Sequence, residues 1–205
     1  VDGVSFAIRK GQTLGLVGES GCGKSTSGLA LLGLVPPAAG SLTFDGVDMR
    51  RADAQTMFAL RKRIQVVFQD PYSSLNPRWT AGEIVAEPLA IHNIGTAVER
   101  RRRVEELFDL VGLRPQQIEL FPHQFSGGQR QRICIARAIA LDPEIIMYDE
   151  PFAGLDPIAM GVIVNLIKTL NTVYGMTSII VSHDIADTAR IADLIYLISD
   201  GKIVG

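Results

Sequence analysis

Eight consecutive residues, Gly18-Glu19-Ser20-Gly21-Cys22-Gly23-Lys24-Ser25, fit the pattern G-x-x-x-x-G-K-[ST]. They lie between an apolar strand-like run, Leu14 to Val17, and a helical run, Thr26 to Leu34. A glycine-rich turn joining strand to helix commits the chain to α/β packing. The chemistry explains the residue types. Glycines let successive backbone N–H groups curl around phosphate oxygens, and the helix N-terminus adds partial positive charge. Lys24 reaches toward the β and γ phosphates, and the Ser25 hydroxyl ligates Mg²⁺. Gly18, Glu19, Ser20, Gly21, Cys22, Gly23, Lys24, Ser25 and Thr26 are the expected nucleotide cradle. Cys22 reads as a small residue that the tight turn accommodates.

The rest of the chain supplies the layers. Short β-branched runs at Leu14 to Val17, Ile64 to Phe68, Ile145 to Tyr148, Ser178 to Val181 and Leu194 to Ile198 alternate with helical spacing, which predicts parallel strands with crossover helices. Val4 to Ile8 and Ser41 to Phe44 read as strands of a small antiparallel sheet. From Gln69 to Leu141 the strand signal stops, so a helical subdomain (69–141) is expected inside an α/β core (1–68 and 142–205), the whole forming one domain of 205 residues. The run Arg100 to Arg103 precedes Val104, Leu107, Phe108 and Val111 at helical spacing, which predicts a solvated helix face. With 20 basic against 22 acidic residues, nothing global points to nucleic acid. No apolar run reaches the ~18–20 residues of a membrane span. The opening Val1-Asp2-Gly3 carries no leader pattern, and the two cysteines make no disulfide framework; a reducing cytoplasm is the expected home.

Glu144 to Glu150 is a buried-type strand ending in two carboxylates, which need a cation or a reactant to face. Asp149 is placed for the Mg²⁺ shell, and Glu150 for polarising an attacking water. Ser182-His183-Asp184 closes another apolar strand, and His183 is assigned to the γ phosphate. Ser126-Gly127-Gly128-Gln129 opens a further helical run, a second anion-binding helix start with Ser126 as cap.

Taken together these elements resemble the ATP-binding-cassette ATPases, a resemblance that covers essentially the whole chain. It is carried by the phosphate loop, Val67-Phe68-Gln69, Ser126-Gly127-Gly128-Gln129, Asp149-Glu150, Gly154-Leu155-Asp156 and His183. It implies an α/β fold with a P-loop NTPase (RecA-like) core and parallel sheet, a small antiparallel β subdomain and an inserted helical subdomain. It also implies ATP and Mg²⁺ as cofactors, and a head-to-tail dimer with a second such ATPase, identical or related. In that dimer each ATP lies between one subunit's phosphate loop and the other's Ser126 to Gln129. Gln69 would link the γ phosphate and metal to transmembrane permease subunits, and Asp156 would communicate across the dimer. The implied location is the cytoplasmic face of the plasma membrane, with a periplasmic or extracellular substrate-binding protein as a further partner and no nucleic acid.

Two halves suggest different relatives. Gly18 to Gly23, Phe68 to Arg78 and Pro122 to Arg132 look like oligopeptide, dipeptide and nickel importer ATPases. Met147 to Pro157, Met160-Gly161-Val162 and Ser182 to Asp184 look like a phospholipid-transport ATPase, and the whole reads as a hybrid. Because the docking elements belong to the front half, peptide import is the expected function. The alternatives are lipid transport, a soluble cassette acting on ribosomes or DNA, and a silent cassette. The aromatic that stacks on adenine in the family has no counterpart ahead of the phosphate loop except Phe6, which reads as a strand core residue.

Overall fold

The structure is a computed structural model and describes residues 1 and 3–204. In chain order the elements are β1 (Thr13–Val17), α1 (Lys24–Leu31), β2 (Thr43–Phe44), β3 (Val47–Asp48), α2 (Ala54–Arg63), β4 (Ile64–Val67), α3 (Pro71–Ser74), α4 (Ala81–Ile91), α5 (Ala97–Leu110), α6 (Gly127–Ile139), β5 (Ile145–Asp149), α7 (Pro157–Tyr174), β6 (Thr177–Ser182), α8 (Ile185–Ala189), β7 (Leu194–Ser199) and β8 (Lys202–Ile203). The main sheet runs β4-β5-β6-β1-β7-β8. Its first five strands are parallel and β8 returns antiparallel. Every residue of β1 and β6 is buried, as expected of central strands covered on both faces.

The expected strand at Val4 to Ile8 does not form. A strand needs a ladder partner for its N–H and C=O groups, and among the described residues none lies beside this segment. Phe6 therefore packs on Tyr196 from outside the sheet, with ring centroids 6.0 Å apart. The antiparallel element is the hairpin β2–β3, turned by Asp45 and Gly46 at φ 49° and 77°, the geometry that an Asp-Gly pair favours. Strands of two residues do not hold themselves, and Arg63 secures them. Its guanidinium lies 4.6 Å from the Phe44 ring centroid and pairs at 2.6 Å with both Asp45 and Glu144, tying the hairpin to the start of β5.

Between β4 and β5 the described chain forms helices joined by turns and irregular segments, and no strand. α4, α5 and α6 each begin with a reciprocal cap, Thr80 with Glu83, Thr96 with Glu99, and Ser126 with Gln129. Their apolar faces meet through Ile84, Leu107, Phe108, Ile133 and Ile135. The arginine run is a neutralised helix face. Arg101 pairs with Glu105 and Glu119, Arg102 with Glu106, and Arg103 with Glu106 and Asp142. Arg100 donates to the Ile94 carbonyl.

Contrary to the expectation that no run is long enough, one helix among the described residues, α7, is long and apolar enough by length and composition to cross a membrane. Here Ile163, Val164, Ile167 and Leu170 are buried in the core. Beneath the sheet Asn171 donates to Thr13 Oγ1 at 2.7 Å and accepts from Ser178.

The helical segment meets α2 where Phe58 packs on His92, with ring centroids 4.5 Å apart. His92 Nδ1 is buried without a hydrogen-bond partner among the described residues. Burial, aided by the charge of Lys62, holds this imidazole below its ordinary value. The folded state thus binds fewer protons than the unfolded chain, and stability rises with pH. The contribution is complete above about pH 6.5 and is lost as pH falls from there through the depressed value. His92→Phe is expected to flatten the dependence of Tm on pH between about 7 and 5, read by calorimetric unfolding.

Candidate nucleotide site

The phosphate loop leaves the buried strand β1 and passes close to β7. A Cβ on Gly18 would lie 2.1 Å from the Ile198 carbonyl oxygen, so only glycine fits there. Gly23 turns the chain into α1 at φ 100°. α1 has no side-chain cap and no acidic residue in its first turn. Its first N–H groups therefore meet no capping side-chain acceptor, as an anion cradle requires. Glu19, Ser20, Gly21 and Thr26 are exposed around it, and Cys22 is half-buried. Lys24 is only 5% exposed, and its ammonium donates to the Gly18 and Glu19 carbonyls at 2.7 Å each. It lies 4.0 Å from Cys22 Sγ.

β5 brings its acids to the same sheet edge. Ser25 Oγ donates to Asp149 Oδ1 at 3.1 Å, across 124 residues of sequence. Asp149 is buried, and that burial raises its carboxyl pKa, with the neighbouring charge of Glu150 adding to the rise and Ser25 and Lys24 opposing it. A carboxylate held at such cost beside a hydroxyl fits a small hard cation. No group of three His, Cys, Asp or Glu side chains suited to a metal occurs among the described residues. One hydroxyl and one carboxylate, leaving positions for phosphate and water oxygens, is the donor set that Mg²⁺ accepts.

Glu150 follows at φ 47°. The other non-glycine residues at positive φ are Asp45, Asn93, Asp142 and Asp200, types that tolerate this region. Glu150 is the exception, and strain of this kind collects at working sites. Its N–H donates to the Val181 carbonyl at 2.7 Å. Its carboxylate lies 2.7 Å from His183 Nδ1 and accepts from the His183 N–H at 3.3 Å. The Glu150 side chain is 11% exposed and that of His183 63%, so the imidazole covers the acid from the solvent side. Gln69 is exposed two residues beyond Val67, which pairs with Tyr148 on β5.

Ser126 and Gly127 are exposed at the head of α6. Among the described residues no hydrogen bond joins the stretch from Ser126 to Gln129 to the phosphate loop. The two glycines differ. A Cβ on Gly128 would meet Ala159 Cβ at 2.8 Å, whereas one on Gly127 would touch only Leu155 Cδ2 at 3.9 Å. Asp156 caps α7, accepting from the Ile158 and Ala159 N–H groups at 3.0 Å. Sequence reasoning missed the Glu150–His183 pairing, which joins residues 33 apart and depends on the parallel register of β5 with β6.

The family model described as ABC transporter matches residues 1–153. The chain belongs to the ABC transporter family. Among curated ABC relatives it is 48% identical over 196 residues to the putative oligopeptide transport ATP-binding protein YkfD of Bacillus subtilis, an alignment covering 95% of this chain and 60% of that protein. It is 46% identical to the oligopeptide transport ATP-binding protein AppF of the same organism, covering 100% of the chain and 62% of AppF. The chain thus spans about three fifths of the length of these relatives. Among solved ABC structures, the cassette MJ0796 bound to ADP and Pi in a dimeric post-hydrolysis state matches with TM-score 0.88 at 34% identity, over 98% of this chain and 86% of that one. The cbiO1 subunit of Clostridium perfringens, part of the cbiONQ transporter complex, matches with TM-score 0.89 at 28% identity, over 99% and 79%. The alignments to YkfD and AppF run through the second half of the chain as well as the first. A hybrid with a phospholipid-transport ATPase finds no support in them.

Proposed function

We propose that this chain is the ATP-binding and ATP-hydrolysing part of a peptide importer, working as a dimer on the cytoplasmic face of a membrane with transmembrane permease subunits and an external substrate-binding protein. The observation that carries the reading is one sheet edge where Ser25 meets Asp149 at 3.1 Å and Glu150 meets His183 at 2.7 Å. Lys24 and the loop glycines hold the β and γ phosphates, while Ser25, Asp149 and Gln69 would hold the metal. When bound, Mg²⁺ neutralises charge on the phosphate oxygens. Glu150 accepts the proton of the attacking water, and His183 orients Glu150 and senses the γ phosphate. Ser126, Gly127, Gly128 and Gln129 complete the nucleotide site of a second copy, with Asp156 signalling across the dimer. Residues 69–141 form the helical subdomain that docks the permease. Peptide as the cargo class rests on the names of YkfD and AppF.

The test is co-purification of the full-length protein from membranes, followed by ATPase assay with the permease subunits that accompany it. Turnover stimulated by those subunits and by peptide-loaded binding protein is expected. Failure to bind Mg-ATP below millimolar levels would overturn the ATPase reading, and stimulation by lipid instead of peptide would overturn the cargo.

A further inference from the structure

Helix α6 carries Arg130 and Arg137 two turns apart, hence on one face. Both reach the single turn of helix that follows Gln69. The Arg130 guanidinium lies 5.3 Å from the Tyr72 ring centroid. It is held there by two donations, at 3.0 and 2.7 Å, to the Phe125 carbonyl immediately ahead of Ser126. Arg137 Nη1 donates at 2.7 Å to the carbonyl of Ser74, the last residue of α3. One arginine thus holds the ring at the start of α3, and the other satisfies the carbonyl at its end.

The gripped segment is itself stiff. Asp70 accepts from the Tyr72 N–H at 2.8 Å, Ser74 Oγ donates back to the Asp70 carbonyl at 2.6 Å, and the next residue, Leu75, is buried in the helical core. β4 ends at Val67, so the turn bearing Gln69 is steadied from one side by the sheet and from the other by α6. The same α6 presents Ser126 at its head.

We propose that Arg130 and Arg137 are positioning residues that weld the Gln69 turn to the Ser126 helix. A displacement of Gln69 then moves Ser126 with it. This rests on the ATPase reading above, in which Gln69 serves the chain's own nucleotide and Ser126 the neighbour's. Neither arginine lies in the phosphate loop, so losing the weld should lower turnover per bound nucleotide and spare nucleotide affinity.

The experiment uses the full chain and four variants: Arg137→Met, Arg137→Lys, Tyr72→Leu and Tyr72→Phe. Tyr72 is 63% exposed, so its variants keep the test alive should Arg137→Met fold poorly. Binding is read with a fluorescent N-methylanthraniloyl ATP, and kcat and KM by phosphate release. The only tryptophan, Trp79, lies four residues beyond Leu75 and reports on the segment through acrylamide quenching. Arg137→Met is expected to bind nucleotide within about twofold of the parent, to lose about tenfold in kcat, and to quench more readily; Arg137→Lys restores most of kcat. Tyr72→Leu loses about threefold in kcat and Tyr72→Phe does not, because the phenyl face is kept. Unchanged kcat and unchanged quenching in both Arg137→Met and Tyr72→Leu would overturn the weld. A parent that binds no nucleotide would instead remove the ATPase reading, and Trp79 quenching alone would then decide whether the arginines hold the turn.

Discussion

Glu150→Gln is expected to lower ATP turnover by about 10²- to 10⁴-fold while nucleotide still binds. Glutamine matches the size of the native side chain and can still accept from the His183 N–H, which Glu150 does at 3.3 Å. It cannot take a proton. The substitution leaves the backbone untouched, so the Glu150 N–H still donates to the Val181 carbonyl of β6, as it does at 2.7 Å. The loss therefore falls on the chemical step and not on assembly of the cradle. Phosphate release and calorimetric titration with Mg-ATP separate the two quantities. Undiminished turnover would remove Glu150 as the base.

The second large effect is expected from Asp149→Asn, with opposite signs on function and stability. Asparagine keeps an oxygen that can accept from Ser25 but loses the charge that holds a divalent cation. Hydrolysis is expected to fall at least about 10²-fold, and Mg²⁺ should no longer strengthen ATP binding. Without metal, however, the native carboxylate is buried and faces the like charge of Glu150. Removing that cost is expected to raise Tm by about 2–4 °C, the shift that about 1 kcal/mol produces in a domain of this size. Differential scanning calorimetry with and without Mg²⁺ checks it. A lowered Tm in metal-free buffer would mean that Asp149 serves the fold first.

Much of this was legible in the sequence because local pattern and local chemistry coincide. Leu14 to Val17 followed by the glycine-rich turn carries its own strand, turn and helix signals, and Thr13–Val17 and Lys24–Leu31 form accordingly. Val4 to Ile8 has the right residue types but no partner strand, and residue type cannot supply one. What the sequence hid lies in contacts between distant residues. Arg63 meets Glu144 across 81 positions, and Arg137 meets Ser74 across 63. The left-handed backbone of Glu150 was hidden for a different reason, since nothing about a glutamate announces such a φ.

Gly127 and Gly128 answer to different tribunals. A methyl group at 128 is refused at once by Ala159 in the same molecule, so folding polices that position alone. A methyl group at 127 passes that inspection, and any objection to it must come from outside the monomer. Side by side in the chain, one position answers to the monomer's own packing, and the other, in the dimer proposed above, would answer to a second molecule.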